Sequence, residues 1–122
     1  MTAQWFGQMY FAGKFTSAWD ALTPAAQQAV PQGTWVGVHE GCASDIGGHA
    51  SAIRSVTILG SAAIISEQID GARSQTVQYI LSYLNGGWRY APGDLSVYAR
   101  GSVAADIAAA KASGLCAGWK VF

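Results

Sequence analysis

Charge is what this sequence has least of. Only 11% of its 122 residues are Asp, Glu, Lys or Arg, against about 25% in ordinary soluble domains. Seven basic residues balance seven acidic ones and none of them cluster. The concentrated positive field that phosphate-backbone binding needs is therefore missing, and no nucleic-acid partner is expected. Long apolar runs are missing too. The uncharged, largely apolar stretch SVTILGSAAIIS (55–66) is broken by Ser, Thr and Gly and falls well short of the roughly 20 apolar residues that span a bilayer. It reads as core, and no membrane partner is expected. The start, MTAQWFGQMYF, has no basic region before an apolar run and no cleavage-like site, so no signal peptide is expected. Synthesis is read as cytoplasmic, and the final location, a virion or export with a partner included, stays open. The two cysteines, Cys42 and Cys116, match no metal or redox spacing, and neither a metal nor another cofactor is expected.

What is present is apolar but small. Hydrophobic residues make up 51% of the chain, much of it Ala, beside 15 Gly. A weakly charged surface of this kind solvates poorly and favours burial against a partner or a copy of itself. Self-association or a larger assembly is the partner reading that follows. The length fits one domain, 1–122, with room for a real core.

Five segments read as strands: FGQMYFAGKF (6–15), TWVGVHEG (34–41), SAAIISEQID (61–70), LSVYARG (95–101) and CAGWKVF (116–122). Short runs of this kind, apolar on both faces, suit a buried parallel sheet. Helical signals lie between them. Thr23-Pro24 supplies an N-cap and a first-turn proline for TPAAQQAV, and GHASAIRSV (48–56) is a short candidate. Ser74 is the expected cap of QTVQYILSYL, where Val77, Ile80, Leu81 and Leu84 fall on one helical face and Asn85-Gly86-Gly87 ends the run. Ser102 caps VAADIAAAKAS, with Gly114 placed to end it, and Asp106 and Lys111 suit its dipole. The resulting order, β-α-β-α-β-α-β-α-β, predicts an α/β fold with a mostly parallel sheet of βα units. Five strands leave two architectures: a partial or shrunken TIM-barrel-like sheet, since a whole barrel takes about 250 residues, or an open doubly wound sheet.

The succession of segments resembles the glycoside-hydrolase-like barrels of actinobacterial and phage proteins, distant relatives of Chalaropsis-type lysozymes. The resemblance runs over 11–122. It rests on FAGKFTSAWDALTPAAQQAV, on TWVGVHEG ending near Glu40, on SAAIISEQID ending in Asp70, and on LSVYARGSVAADIAAAKASGLCAGWKVF. It implies carboxylates at strand ends lining a sugar cleft, with Glu40 and Asp70 at the matching positions and Glu67 nearby. The Asp that usually ends the first strand of such barrels is absent from FGQMYFAGKF.

Parallel α/β sheets bind ligands beyond the carboxyl ends of their strands, and His39, Glu40, Glu67, Asp70 and Arg100 fall near such ends in this reading. Glycoside hydrolysis takes two carboxyl groups about 5–10 Å apart, one protonated and one ionised. Glu40 and Asp70 are the expected acid/base pair, with Glu67 as a third carboxylate. Trp35 and Tyr98 are placed to raise the pKa of one member by partial burial, and His39, Trp35, Tyr98 and Arg100 are the expected substrate contacts. The ordinary alternative is that these carboxylates cap the helices that follow. His39-Glu40 lacks the second histidine of H-E-x-x-H, because position 43 is Ala43. The set His39, Cys42, Asp45 and His49 fits no standard zinc spacing. RGSVAAD (100–106) lacks both phosphate-binding glycine patterns, so capping by Ser102 is its expected role. Trp88 and Tyr90, with Trp5, Phe6, Tyr10 and Phe11, read as partner or self contacts.

In a parallel sheet Cys42 and Cys116 lie at opposite ends, beyond the Cα separation of about 4.4–6.8 Å that a disulfide requires. Free thiols are expected, and a disulfide would count against the parallel sheet. Two functions follow. One is a glycoside-hydrolase-like module that binds or hydrolyses cell-wall glycan (peptidoglycan), muramidase-like if active. The other is a non-catalytic structural or assembly subunit, for example of a phage particle.

Overall fold

Helical periodicity, not alternation, governs the first third of the chain. The computed structural model describes residues 2–42, 51–69, 75–92 and 95–112. Four helices come first: α1 (Thr2–Phe11), α2 (Phe15–Asp20), α3 (Pro24–Ala29) and α4 (Gln32–Gly41). Strands β1 (Ser51–Leu59), β2 (Ala62–Ile69), β3 (Gln75–Leu84) and β4 (Gly87–Tyr90) follow, then a 3₁₀ turn at Ser96–Tyr98 and helix α5 (Val103–Ala112). No helix among the described residues is long and apolar enough to cross a membrane.

The expected parallel α/β sheet, barrel-like or doubly wound, is not what forms. The sheet has four strands in the order β1-β2-β3-β4, with every ladder antiparallel. Segment 6–15 is mostly α1, because Phe6, Tyr10 and Phe11 are buried while Gln8 is exposed, a spacing of four and five that suits one helix face. Segment 34–41 lies in α4 for the same reason. Trp35, Val38, His39 and Cys42 are buried and Glu40 is exposed, so the inward residues recur at i, i+3, i+4 and i+7. Segment 95–101 is the 3₁₀ turn and its flanks. The final expected strand, 116–122, lies outside the described residues, as do Asp45, His49, Asp70, Ser74 and Gly114.

Two expected helices are strands. Residues 51–56 of the candidate helix 48–56 lie in β1, and QTVQYILSYL is β3. In β3 the buried positions are Tyr79 and Leu81, with Ile80 exposed between them; that is the period of two. Asn85-Gly86, read above as a helix stop, is a hairpin turn with both residues at positive φ, 51° and 81°, the type I′ geometry that Asn-Gly favours. Segment 61–70 is a strand as expected, β2, but it lies between two antiparallel neighbours. Local caps behave as read. Thr23 Oγ1 accepts from the Ala26 N–H at 3.3 Å, and Ser102 Oγ accepts from the Ala105 N–H at 3.1 Å.

The helices cover one face of the sheet. Helix α1 packs against β1, β2 and β4, and α2, α4 and α5 stack behind it. Cross-strand partners share a face, so the register defines both sides. Val56, Ile65, Tyr79 and Val77 point inward with Glu67, Leu81 and Tyr90, while Thr57, Ile64, Ile80, Leu59, Ala62 and Ser82 point outward. The β4 edge is closed by the segment between α2 and α3. There Tyr90 N–H donates to Ala21 O at 2.9 Å and Thr23 N–H to Tyr90 O at 3.0 Å.

Cys42, at the buried C-cap of α4, is disulfide-bonded. The expectation of free thiols therefore fails with the parallel sheet it rested on, because Cys42 ends a helix instead of following a strand. The chain's other cysteine, Cys116, lies outside the described residues.

Candidate functional site

The chemically capable side chains gather inside the molecule, in two places. The first is a three-residue relay. His39 reaches inward from α4, its Nδ1 3.0 Å from the Tyr10 hydroxyl and its Nε2 2.7 Å from the Tyr98 hydroxyl. Trp35, one turn earlier on α4, lies with its ring centroid 4.1 Å from the imidazole, and Phe15 lies 5.6 Å away. All of these side chains are buried. Burial pushes the His39 pKa down to about 3, because this aromatic shell gives the cation little of the solvation it would have in water. The ring is neutral at physiological pH, with one N–H and one acceptor nitrogen. One tyrosine must donate to it and the other accept from it, so both ring nitrogens are satisfied. Burial likewise pushes Tyr10 and Tyr98 up, keeping both phenols protonated.

The second place is the pair Glu67 and Tyr79, opposite α1 on the inner face of β2 and β3. The Tyr79 hydroxyl donates to Glu67 Oε1 at 2.6 Å, while Oε2 is buried and makes no hydrogen bond in the 3.5 Å range among the described residues. Burial raises the Glu67 pKa, offset in part by Ser51 and Tyr79; burial and the facing carboxyl raise that of Tyr79. Gly7 of α1 presses directly on the pair. A Cβ there would collide with Glu67 Oε1 and the Tyr79 hydroxyl. Helix α1 thus approaches the sheet as closely as its backbone permits, and the absent side chain makes room for the carboxyl.

The expected site residues part company. His39, Trp35 and Tyr98 do meet, but as a closed core around a satisfied imidazole, not as a cleft. Glu40 lies on the exposed side of α4, one residue from His39 and facing away from it. Glu67 is sealed in the core, and Asp70 lies outside the described residues. Arg100 is exposed beside the 3₁₀ turn; its backbone N–H donates to Asp106 Oδ1 at 2.9 Å. Ser102 caps Ala105 at the start of α5, and the Asp106 carboxylate beside it is turned to the Arg100 backbone. A shallow depression of about 460 Å³ lies there, lined by Pro31, Thr34, Tyr98, Val103 and Asp106 among others. No group of three or more His, Cys, Asp or Glu side chains among the described residues is arranged to hold a metal.

Phe6, Tyr10, Phe11 and Tyr90, expected as partner contacts, are buried. Tyr10 and Tyr79 were the functional-looking residues missed. Tyr10 was detectable from its spacing of four from Phe6, and Tyr79 from its alternation with Val77 and Leu81. Nothing in one sequence signals that Tyr10 would find His39, 29 residues away.

What lies outside is apolar. Tyr83 N–H donates to Ser61 O at 2.8 Å, so the Gly60-Ser61 and Asn85-Gly86 turns adjoin at the same end of the sheet. Four large apolar residues are exposed there, Leu59 and Leu84 (61% and 40%) on the outer face and Ile58 and Tyr83 (50% and 49%) on the inner one. Trp88, half-buried, packs its ring 5.3 Å from Tyr83. No family model, no curated protein and no solved structure matches this chain, so nothing bears on the resemblance to glycoside-hydrolase-like barrels.

Proposed function

We propose that the chain is a non-catalytic assembly subunit, acting by packing its sheet against other protein. The observation that carries this reading is the separation of chemistry from surface. The described histidine and the Glu67 carboxyl are closed into the core, and large apolar side chains are set out together at the turn end of the sheet. Exposed apolar residues scattered singly need no explanation, but Leu59 and Leu84 share the outer face of the sheet with the exposed Ile80, a grouping of the kind that marks interaction sites. The low charge of the whole chain points the same way. Glycan hydrolysis asks for a carboxylate pair flanking a cleft. The strand ends on which that pair was placed belonged to a parallel sheet, and Glu40 instead sits on the solvent side of a helix.

Two sets of variants test the proposal by light scattering. Leu59→Lys with Leu84→Lys should reduce the mass of the particle in solution, since both positions are exposed and the fold does not depend on them. Glu40→Gln should leave that mass unchanged. Self-association that survives both lysines would contradict the assignment of this patch.

A further inference from the structure

The two edges of the sheet are treated differently. The β4 edge is covered by the 20–23 segment, with Arg89 Nη1 donating to Asp20 O at 2.6 Å in addition to the backbone bonds. Strand β1, on the other side, pairs only with β2 among the described residues. It is nine residues long, and Arg54, Ser55, Thr57, Ile58 and Leu59 are exposed along it. Edge strands offer a row of unpaired N–H and C=O groups, and proteins normally blunt them with charge, proline, a bulge or a cover. Here the blunting is confined to the first half, where the register shifts between Ile53 and Ser55 beside Arg54. The second half, Ser55 to Leu59, is regular, uncharged and free of proline.

We infer that this half-strand is the self-association surface: β1 pairs antiparallel with β1 of a second copy, centred on Thr57, making one continuous eight-stranded sheet. The inference rests on the assembly reading above and specifies its partner. A second copy is favoured by the strand's own composition. Centred on Thr57, Val56 meets Ile58 of the second copy on the inner face, and Ser55 meets Leu59 on the outer one. Every such pair is uncharged, which suits burial of an ordinary cross-strand contact. The only charge on the strand, Arg54, then lies three positions from the axis in each copy. The two guanidinium-bearing positions are separated by about 20 Å at roughly 3.3 Å per residue, beyond a Debye length at physiological salt. Shifting the centre toward the bulge would bring the two arginines together and break the ladder. The bulge therefore sets the register as well as the length of the contact.

Cysteine cross-linking with oxidised glutathione reads the register directly. Thr57→Cys should give a covalent dimer, since facing Cα atoms in an antiparallel pair lie about 4.5–5.5 Å apart, within disulfide range. Ser55→Cys and Leu59→Cys should each fail alone, being about 13 Å from their own images, and should cross-link when the two variants are mixed. Ile58→Lys, at a half-exposed position that tolerates lysine in the single chain, should weaken dimerisation roughly tenfold or more. If the parent chain self-associates but Thr57→Cys does not cross-link and Ile58→Lys changes nothing, the β1 pairing is overturned while the assembly reading stands. A parent chain that is monomeric at every concentration overturns both.

Discussion

His39 sits where a proton is least welcome. Its folded pKa of about 3 lies below the ordinary 6.5, so as pH falls below 6.5 the unfolded chain takes up a proton that the folded chain refuses. Stability from this group is whole above pH 6.5 and declines toward pH 3, by up to about 1.4 kcal/mol per pH unit. His39→Gln keeps hydrogen-bonding capacity without the titration, and its urea midpoint should fall less on acidification than that of the parent chain. An identical acid limb in both would show that the imidazole is not the sensitive group. Glu67 works in the opposite sense. Its raised folded pKa means that above about pH 4.5 the unfolded chain releases a proton the folded chain keeps. Its contribution therefore falls as pH rises, and Glu67→Gln should flatten that side of the profile. Gly7 gives a prediction against helix propensity. Alanine in a helix interior is ordinarily better than glycine by about 0.5–1 kcal/mol. Here the added methyl meets the Glu67–Tyr79 pair, and Gly7→Ala should lower stability by about 1–3 kcal/mol, read as a drop in Tm.

At the scale of the element, what was legible in the sequence was local. Thr23 and Ser102 cap helices because a cap needs only the next three residues, and β2 announced itself by its β-branched run. The segments that misled carry two periods at once. In QTVQYILSYL, Val77, Ile80, Leu81 and Leu84 match a helix face, while Val77, Tyr79 and Leu81 match a strand. Packing decided for the strand, aided by an Asn-Gly turn that also resembles a helix stop. TWVGVHEG erred the other way. Its β-branched residues favour a strand, yet Trp35, Val38, His39 and Cys42 bury together only as a helix. Of the site, His39, Trp35 and Tyr98 were expected as substrate contacts; they meet in the core instead, and that enclosure was not visible, because burial is set by α1, α2 and the 3₁₀ turn together. Turn geometry yields its own test. Asn85 holds φ at 51°, a conformation that costs a β-branched residue about 1–2 kcal/mol. Asn85→Val should lose about that much in urea unfolding and Asn85→Gly next to nothing.

At the scale of the molecule, one side of the sheet is used up and the other is not. The helices fill the inner face with aromatic rings, the 20–23 segment closes one edge, and two hydrogen-bonded clusters occupy the interior. The turn end and the β1 edge stay apolar and unclosed among the described residues. A chain so poor in charge gains little from hydrating that surface, and burying a few of these side chains yields about 25 cal/mol for each Å² removed from water. That is the physical motive for the association proposed above, which requires no active centre. Sedimentation velocity of the unmodified chain over a wide concentration range tests this most directly. A discrete species heavier than one chain is expected, persisting on dilution until a concentration-dependent return to monomer. A single species with the mass of one chain at every concentration would contradict it.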